Sequence, residues 1–283
     1  MSRVSQSSDS TRSPVLRPSR VRVPHLARWK AEGRRWAMLT AYDATTAGVL
    51  EEAGIPVLLV GDSAANVVYG YSSSLPVTLE EMLPLVAAVA RGTRRPLVVA
   101  DLPFGSYEAS DALAVTSAAA LMKAGAHAVK LEGGVRVRSR VEAIVAAGVP
   151  VMGHVGFTPQ AEHAIGGYRV AGRDDAAADR TVADAVAVAE AGAFAVVLEM
   201  VSAPVSARVR EVVTVPTVGI GSGADCDAQV LVWQDMAGLS DDGRLSFVKR
   251  YADLRSVLRD AAAAYAREVQ DGTFPDAAHS FDA

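Results

Sequence analysis

A single cysteine in 283 residues, Cys226, excludes an intrachain disulfide and fits a reducing, cytoplasmic setting. No apolar run approaches the roughly 20 residues of a membrane span, so membrane contact is not expected. The formal net charge of -4 gives no electrostatic case for binding nucleic acid. No cluster of His and Cys marks a zinc-type centre, which turns attention to oxygen chemistry. Half of the residues are hydrophobic, enough for one large core.

What the chain does contain is a repeat. Four times a helix ends in Ala-Gly and gives way to a short apolar run: 53–62, 124–134, 147–154 and 191–200. Glycine closes a helix because it takes the left-handed conformation without Cβ strain. Strands apolar on both faces indicate a parallel sheet covered by helices. Eight strands can be placed, at 36–43, 56–63, 95–104, 127–134, 149–154, 194–200, 215–223 and 229–238. Eight strands alternating with helices predict an α/β protein, a closed (β/α)8 TIM barrel, and about 250 residues suffice for one. The reading is a disordered, Ser- and Arg-rich tail over 1–24 and one catalytic barrel domain over 25–283.

Helix signals agree. Thr78 with Glu81 forms a capping box, and Ser110 caps the next helix. Pro84 falls inside the first of these and is expected to kink it or mark its first turn. A helix runs over 181–192. The stretch 247–272 reads as one or two amphipathic helices, longer than one barrel helix needs, so part of it is expected to pack on another subunit.

Polar residues gather at the C-terminal ends of the strands, where barrel active sites lie. Asp62 and Asp101 end neighbouring strands, and Glu132 ends the next. Each aspartate alone reads as a helix cap, but two on adjacent strands with Glu132 favour a hard cation: Mg²⁺, with Mn²⁺ as the alternative. Lys130 shares a strand face with Glu132 and can bind an anionic substrate, form a Schiff base or make a structural ion pair. His154 ends strand five, as a structural residue or a catalyst. Glu199, within VVLEM, sits in an apolar setting that suits a general base. GIGSG (219–223) resembles a phosphate grip but serves strand packing equally well. Asp43 reads as a cap, and Asp235 is left open. Cys226 has no base near it, Trp233 and Met236 read as core, and His25 and His127 have no evident partners.

The ordered blocks LTAYD, VGDS, LPVTLEEM, ADLPF, AVKLEGG, GHVGFTPQ, GGYRV, LEM, GIGSG and HSF, spread over 36–281, resemble the ketopantoate hydroxymethyltransferase family. The resemblance implies a barrel enzyme of pantothenate, and hence coenzyme A, biosynthesis. It implies transfer of a hydroxymethyl group from 5,10-methylenetetrahydrofolate to 3-methyl-2-oxobutanoate, giving 2-dehydropantoate through a Mg²⁺-stabilised enolate. By the same resemblance Asp62, Asp101 and Glu132 hold the metal. Ser63 and Lys130, with Asp62 and Asp101, meet the substrate. Glu199 is the proton acceptor, and His154 is an active-site histidine. A cytoplasmic homo-oligomer, typically a decamer, is also implied. The chain departs from the family pattern at Ala161-Glu162-His163, Asp174 and Ala228, none of them assigned to chemistry. Two rivals remain: another Mg²⁺-dependent 2-oxo-acid barrel of the isocitrate-lyase and phosphoenolpyruvate-mutase kind, and a catalytically silent scaffold.

Overall fold

Eight apolar runs become eight parallel strands that close on themselves. A computed structural model describes residues 19–240 and 245–281. In it β1 (Trp36–Thr40), β2 (Val57–Val60), β3 (Leu97–Asp101), β4 (Ala128–Glu132), β5 (Val151–Gly156), β6 (Ala195–Glu199), β7 (Thr217–Ile220) and β8 (Ala228–Leu231) pair in chain order, and β8 returns to β1. The helices are α1 (Val23–Ala31), α2 (Ala44–Glu52), α3 (Ala64–Val67), α4 (Leu79–Gly92), α5 (Asp111–Ala124), α6 (Arg138–Ala146), α7 (Glu162–Ile165), α8 (Asp175–Glu190), α9 (Ala203–Val212), α10 (Trp233–Met236) and α11 (Leu254–Gln270). The predicted TIM barrel is therefore the observed fold. Two glycines of the repeat show why that residue recurs: Gly54 and Gly125 close α2 and α5 at φ 84° and 116°, where a Cβ is strained.

Alternation divides each strand between two cores. Val57, Leu59, Leu97, Val99, Ala128, Met152, Ala195 and Val197 fill the barrel. Leu58, Val60, Val98, Ala100, Val129, Leu131, Val196 and Leu198 face the helices. Each buried Val, Leu or Met side chain among these contributes about 1.5–3 kcal/mol. The N-terminal end of the barrel is plugged by α1. Its Leu26 and Trp29 pack against Trp36, and the Arg34 guanidinium lies 4.5 Å from the Trp29 ring centre. Thr78 and Glu81 exchange the two bonds of a capping box on α4, and Ser110 caps α5. The helix α4 continues through Pro84.

Several boundaries differ from the sequence reading. Helix α1 starts at Val23, inside the stretch read as tail. Val21 N–H donates to the Arg95 carbonyl at 2.7 Å, and Arg20 Nη1 lies 2.8 Å from His127 Nε2. The folded domain thus begins before residue 25, and the remainder of the proposed tail, 1–18, lies outside the described residues. Strand eight ends at Leu231 instead of continuing to 238. The Trp233 N–H turns to Thr40 Oγ1 at 3.0 Å, and α10 begins. In 247–272 only α11 is helical. The Tyr251 and Leu254 N–H groups are tied back to the Met236 and Ala237 carbonyls before it. No helix separates β7 from β8. Buried Asp227 pins that short connection by accepting from Lys30 Nζ, Arg210 Nε and the Thr217 N–H. Among the described residues no helix is long and apolar enough to cross a membrane.

His127, without a partner in the sequence reading, has two. Its Nδ1 accepts from the Val98 N–H at 2.9 Å, and Arg20 faces its other nitrogen. Burial, then the charges of Arg20 and Arg22, push the imidazole down to about 4. Between that value and the ordinary one near 6.5 the unfolded chain binds the extra proton, so stability rises with pH across this window. Thermal melts from pH 7 to pH 4 should show stability falling on acidification. In a His127→Leu variant this acid limb should be shallower, and an unchanged slope would remove His127 from the account.

Candidate active site

The inward rows that fill the barrel do not stop at its mouth; they turn polar. The row of Leu97 and Val99 ends in Asp101, and that of Ala128 continues to Lys130 and Glu132. Met152 leads to His154, and Ala195 and Val197 lead to Glu199. Strand register then makes neighbours of these groups, because Asp101 pairs with Lys130 and Glu132 with His154. Asp62 and Ser63 follow β2, where Asp62 N–H donates to Asp101 Oδ2 at 2.9 Å. Gly61 permits this turn, since a Cβ there would lie 2.8 Å from Ser63 Oγ and 3.5 Å from Asp101 Oδ2.

The result is one connected cluster on the wall of a cavity of about 610 Å³. Lys130 Nζ lies 3.0 Å from Asp101 Oδ1 and 3.2 Å from His154 Nδ1. His154 bridges two acids, with Nδ1 3.4 Å from Glu132 Oε1 and Nε2 3.3 Å from Glu199 Oε2. Lys130, Glu132 and His154 are 4 %, 1 % and 2 % exposed. The Glu199 side chain, at 16 %, is the more open partner of His154. Gly156 lets β5 and β6 meet at this depth: at φ 96°, a Cβ would strike the Glu199 carbonyl oxygen. Met200, the next residue, is held at φ 47° by bonds from its N–H to Ile220 and from Ala171 to its carbonyl. A non-glycine residue in this region costs about 1–3 kcal/mol and persists only where its surroundings over-determine it.

Electrostatics follow from burial. Desolvation, then repulsion from Glu132, raises Asp62 to about 6 against the pull of Lys130 and Gln160. Asp101 is likewise raised by burial to about 6, although Lys130 opposes the shift. Burial disfavours the Lys130 ammonium, but Asp101, Glu132 and Asp62 outweigh it and hold the charge more firmly than usual. Burial and Lys130 also disfavour a charged His154. The Glu132 and Glu199 carboxylates beside its two ring nitrogens reverse the balance and lift it to about 9.

All seven sequence-predicted residues therefore line the same cavity: Asp62, Ser63, Asp101, Lys130, Glu132, His154 and Glu199. Ser63 Oγ is hydrogen-bonded to the buried Tyr42 hydroxyl at 2.8 Å. Gln160, Tyr107 and Tyr42 escaped the sequence reading. No local spacing marks them, and only the Thr-Pro turn after β5 brings Gln160 inward. Asp43 is a cap, accepting from the Thr46 N–H, and so is Asp174, accepting from the Ala177 N–H. Ser222 of GIGSG spends its hydroxyl on the Leu198 carbonyl at 2.6 Å and accepts from the Val201 N–H, a packing role. Asp235 lines the same cavity. Cys226 is buried, and burial raises its thiol to about 11.

Among the described residues no three His, Cys, Asp or Glu side chains close on one point as a metal cage. The donor chemistry nonetheless suits a hard cation: Asp62, Asp101 and Glu132 offer only oxygen. Glu132 Oε1 makes no hydrogen bond, and Asp101 Oδ1 meets Lys130 off the line of one. The residues fit.

A closed (β/α)8 barrel whose C-terminal mouth holds buried acids, a lysine and a histidine is built as an enzyme. The chain belongs to the ketopantoate hydroxymethyltransferase family, whose model matches residues 20–277, and it is a transferase. Over 263 residues it is 62 % identical to the 3-methyl-2-oxobutanoate hydroxymethyltransferase of Rhodococcus jostii, covering 93 % of this chain and 91 % of that one. It is 59 % identical to the protein of the same name from Mycobacterium tuberculosis (strain H37Rv), covering 93 % and 94 %. Among solved structures, phosphonopyruvate hydrolase aligns with a TM-score of 0.61 at 16 % identity over 93 % of this chain and 92 % of that one. A 2,3-dimethylmalate lyase aligns with a TM-score of 0.56 at 17 % identity over 89 % and 98 %. At that identity the likeness is one of fold.

Removing Lys130 should leave buried acids without their counter-charge. We expect Lys130→Met to lower unfolding stability by about 3 kcal/mol in urea titrations run in EDTA, as for other broken buried pairs. A loss near zero would show that the acids do not depend on it.

Proposed function

We propose that this barrel transfers a hydroxymethyl group from 5,10-methylenetetrahydrofolate to 3-methyl-2-oxobutanoate, yielding 2-dehydropantoate, with Mg²⁺ at the acidic mouth. One observation carries the reading: among the described residues, four acids, Asp62, Asp101, Glu132 and Glu199, share one cluster with two basic side chains, Lys130 and His154. With all four ionised and His154 protonated, the cluster is short of two positive charges, which a divalent cation supplies. Asp62, Asp101 and Glu132 would hold it. When bound, such a cation acts as a Lewis acid that acidifies the carbon next to a keto group. Relatives at 59–62 % identity carry the oxo-acid name, and a phosphonopyruvate hydrolase of the same fold is described with oxalate and Mg²⁺.

The chain's own residues divide the remaining work. Lys130, with Ser63, binds the anionic end of the oxo acid. Glu199 removes the proton from C3, since it is the more accessible of the His154–Glu199 pair, while His154 is walled in by Lys130 and Glu132. His154 orients the Glu199 carboxylate. The resulting carbon nucleophile forms a bond to the methylene carbon donated by the folate. Both bonds from that carbon to the two folate nitrogens are broken; the nitrogens take up the proton removed from C3 and one from water, and the same water supplies the hydroxyl oxygen. The buried wall of the cavity keeps solvent from competing for the carbon nucleophile.

The test is hydrogen exchange at C3 in D₂O without folate, because enolisation needs only the acidified carbon and a base. Glu199→Gln should slow exchange by roughly a hundredfold or more, and EDTA should slow the unaltered protein comparably. Exchange at full rate in Glu199→Gln but not in His154→Gln would transfer the base role to His154.

We further propose a cytoplasmic homo-oligomer, a decamer by family likeness, assembled in part through α11. No α11 side chain is buried within the protomer, yet Val257, Leu258 and Tyr265 expose apolar surface at helical spacing, at 64 %, 59 % and 58 %. Light scattering should give a multimer, and Val257→Glu with Leu258→Glu a smaller species. A monomeric starting protein would end this proposal.

A further inference from the structure

Gln160 follows Pro159 in the short turn after β5, and it is 5 % exposed. Its polar groups are spent on the frame of the site. The backbone N–H donates to Glu132 Oε2 at 3.0 Å. Side-chain Nε2 donates to Asp62 Oδ2 at 2.9 Å and to the Leu102 carbonyl at 3.0 Å. Side-chain Oε1 accepts from the Tyr107 hydroxyl at 2.6 Å.

Chemistry fixes the direction of this amide. The Leu102 carbonyl can only accept, so the NH₂ end must face it. Oε1 is then turned to Tyr107, whose hydroxyl must donate. One amide proton remains, and it goes to Asp62, which therefore presents an acceptor oxygen at this point. That bond sets the rotation of the Asp62 carboxylate about its last single bond. The same residue, through its backbone, sets one oxygen of Glu132. Asp62 and Glu132 come from strands that are not neighbours, since β3 lies between them. Two like charges held in one pocket turn apart unless something fixes both.

We propose that Gln160 is a positioning residue: it holds the Asp62 and Glu132 carboxylates in one geometry for the divalent cation, with Tyr107 locking the amide from behind. The proposal rests on the metal reading given under Proposed function. It does not place Gln160 on the reacting atoms. Its distinguishing claim is that metal affinity depends on a neutral amide that carries no charge for a cation.

The probe is Mn²⁺ alone, titrated against the folded protein, with free Mn²⁺ read by electron paramagnetic resonance. Gln160→Met keeps the side-chain length and the backbone bond to Glu132 but removes the amide. It should weaken Mn²⁺ binding by roughly tenfold or more, the usual effect of losing a residue that orients a metal ligand. Tyr107→Phe removes the lock, together with the longer contact of that hydroxyl to the Glu132 carbonyl at 3.1 Å, and should weaken binding in the same direction by less. Melting curves in EDTA run beside these, because a merely structural role lowers the melting temperature without moving the Mn²⁺ affinity of folded protein. Unchanged affinity in both folded variants overturns the proposal. If Gln160→Met does not fold, Tyr107→Phe decides by the same criterion. An unaltered protein that takes up no Mn²⁺ overturns the metal reading itself, and this inference with it. Unaltered protein that binds Mn²⁺ beside variants that match it overturns this inference alone.

Discussion

Burying a lysine ammonium among carboxylates is the constraint on which the top of this barrel depends. Moving a lone charge of either sign out of water costs several kcal/mol even after relaxation. Lys130, Glu132, Asp101 and His154 are all nearly inaccessible, so none is tolerable without the others. Their spacing is set by backbone that cannot drift. Asp101, Lys130, Glu132 and His154 sit on adjacent, register-locked strands, and Glu199 ends the strand beside them. A one-residue slip would turn each of these side chains from the barrel interior toward the helices. Fold and site are thus fixed by one set of hydrogen-bonded ladders.

The barrel was largely legible in the sequence because its signal is periodic. Apolar runs and helix-ending glycines at 54, 125, 148 and 192 repeat, and repetition outweighs local ambiguity. What was misplaced lies where periodicity stops. Trp233–Met236 reads as a continuation of strand eight, since Trp and Met suit a strand, but the Trp233 N–H donates to the Thr40 hydroxyl oxygen and the pairing stops there. Residues 19–24 look like tail by composition. They are ordered by contacts far away in the chain, Val21 to Arg95 and Arg20 to His127, that no local pattern encodes.

The site divides in the same way. Acids, Lys130 and His154 at strand ends were visible because inward alternation carries them to the mouth. Gln160, Tyr107 and Tyr42 were not, because each acts through a loop or helix contact. Gln160 reaches Asp62 across 98 positions of sequence. An uncharged amide also gives no warning in composition, although it orients two charged groups. Ser222 errs in the opposite direction. The glycine-rich block around it resembles a phosphate grip, yet its hydroxyl is committed to Leu198 and Val201.

The distribution of polarity along each inward row explains how one strand serves stability and chemistry together. The lower positions, such as Val99, Ala128, Met152 and Val197, are apolar and immobile in a packed core. Their upper neighbours, Asp101, Lys130, His154 and Glu199, are therefore carried on backbone that is already rigid. Rigid carriers hold reacting groups more closely than loops do. Asp62 and Gln160 are the exceptions, since both stand on turns. They compensate by bonding to each other and to the rigid rows, Asp62 N–H to Asp101 and Gln160 N–H to Glu132. The strand-borne acids thus hold the loop-borne Asp62 and Gln160 in place. This division is physically coherent for an enzyme barrel whose loops must admit substrate while the charges at its mouth stay fixed.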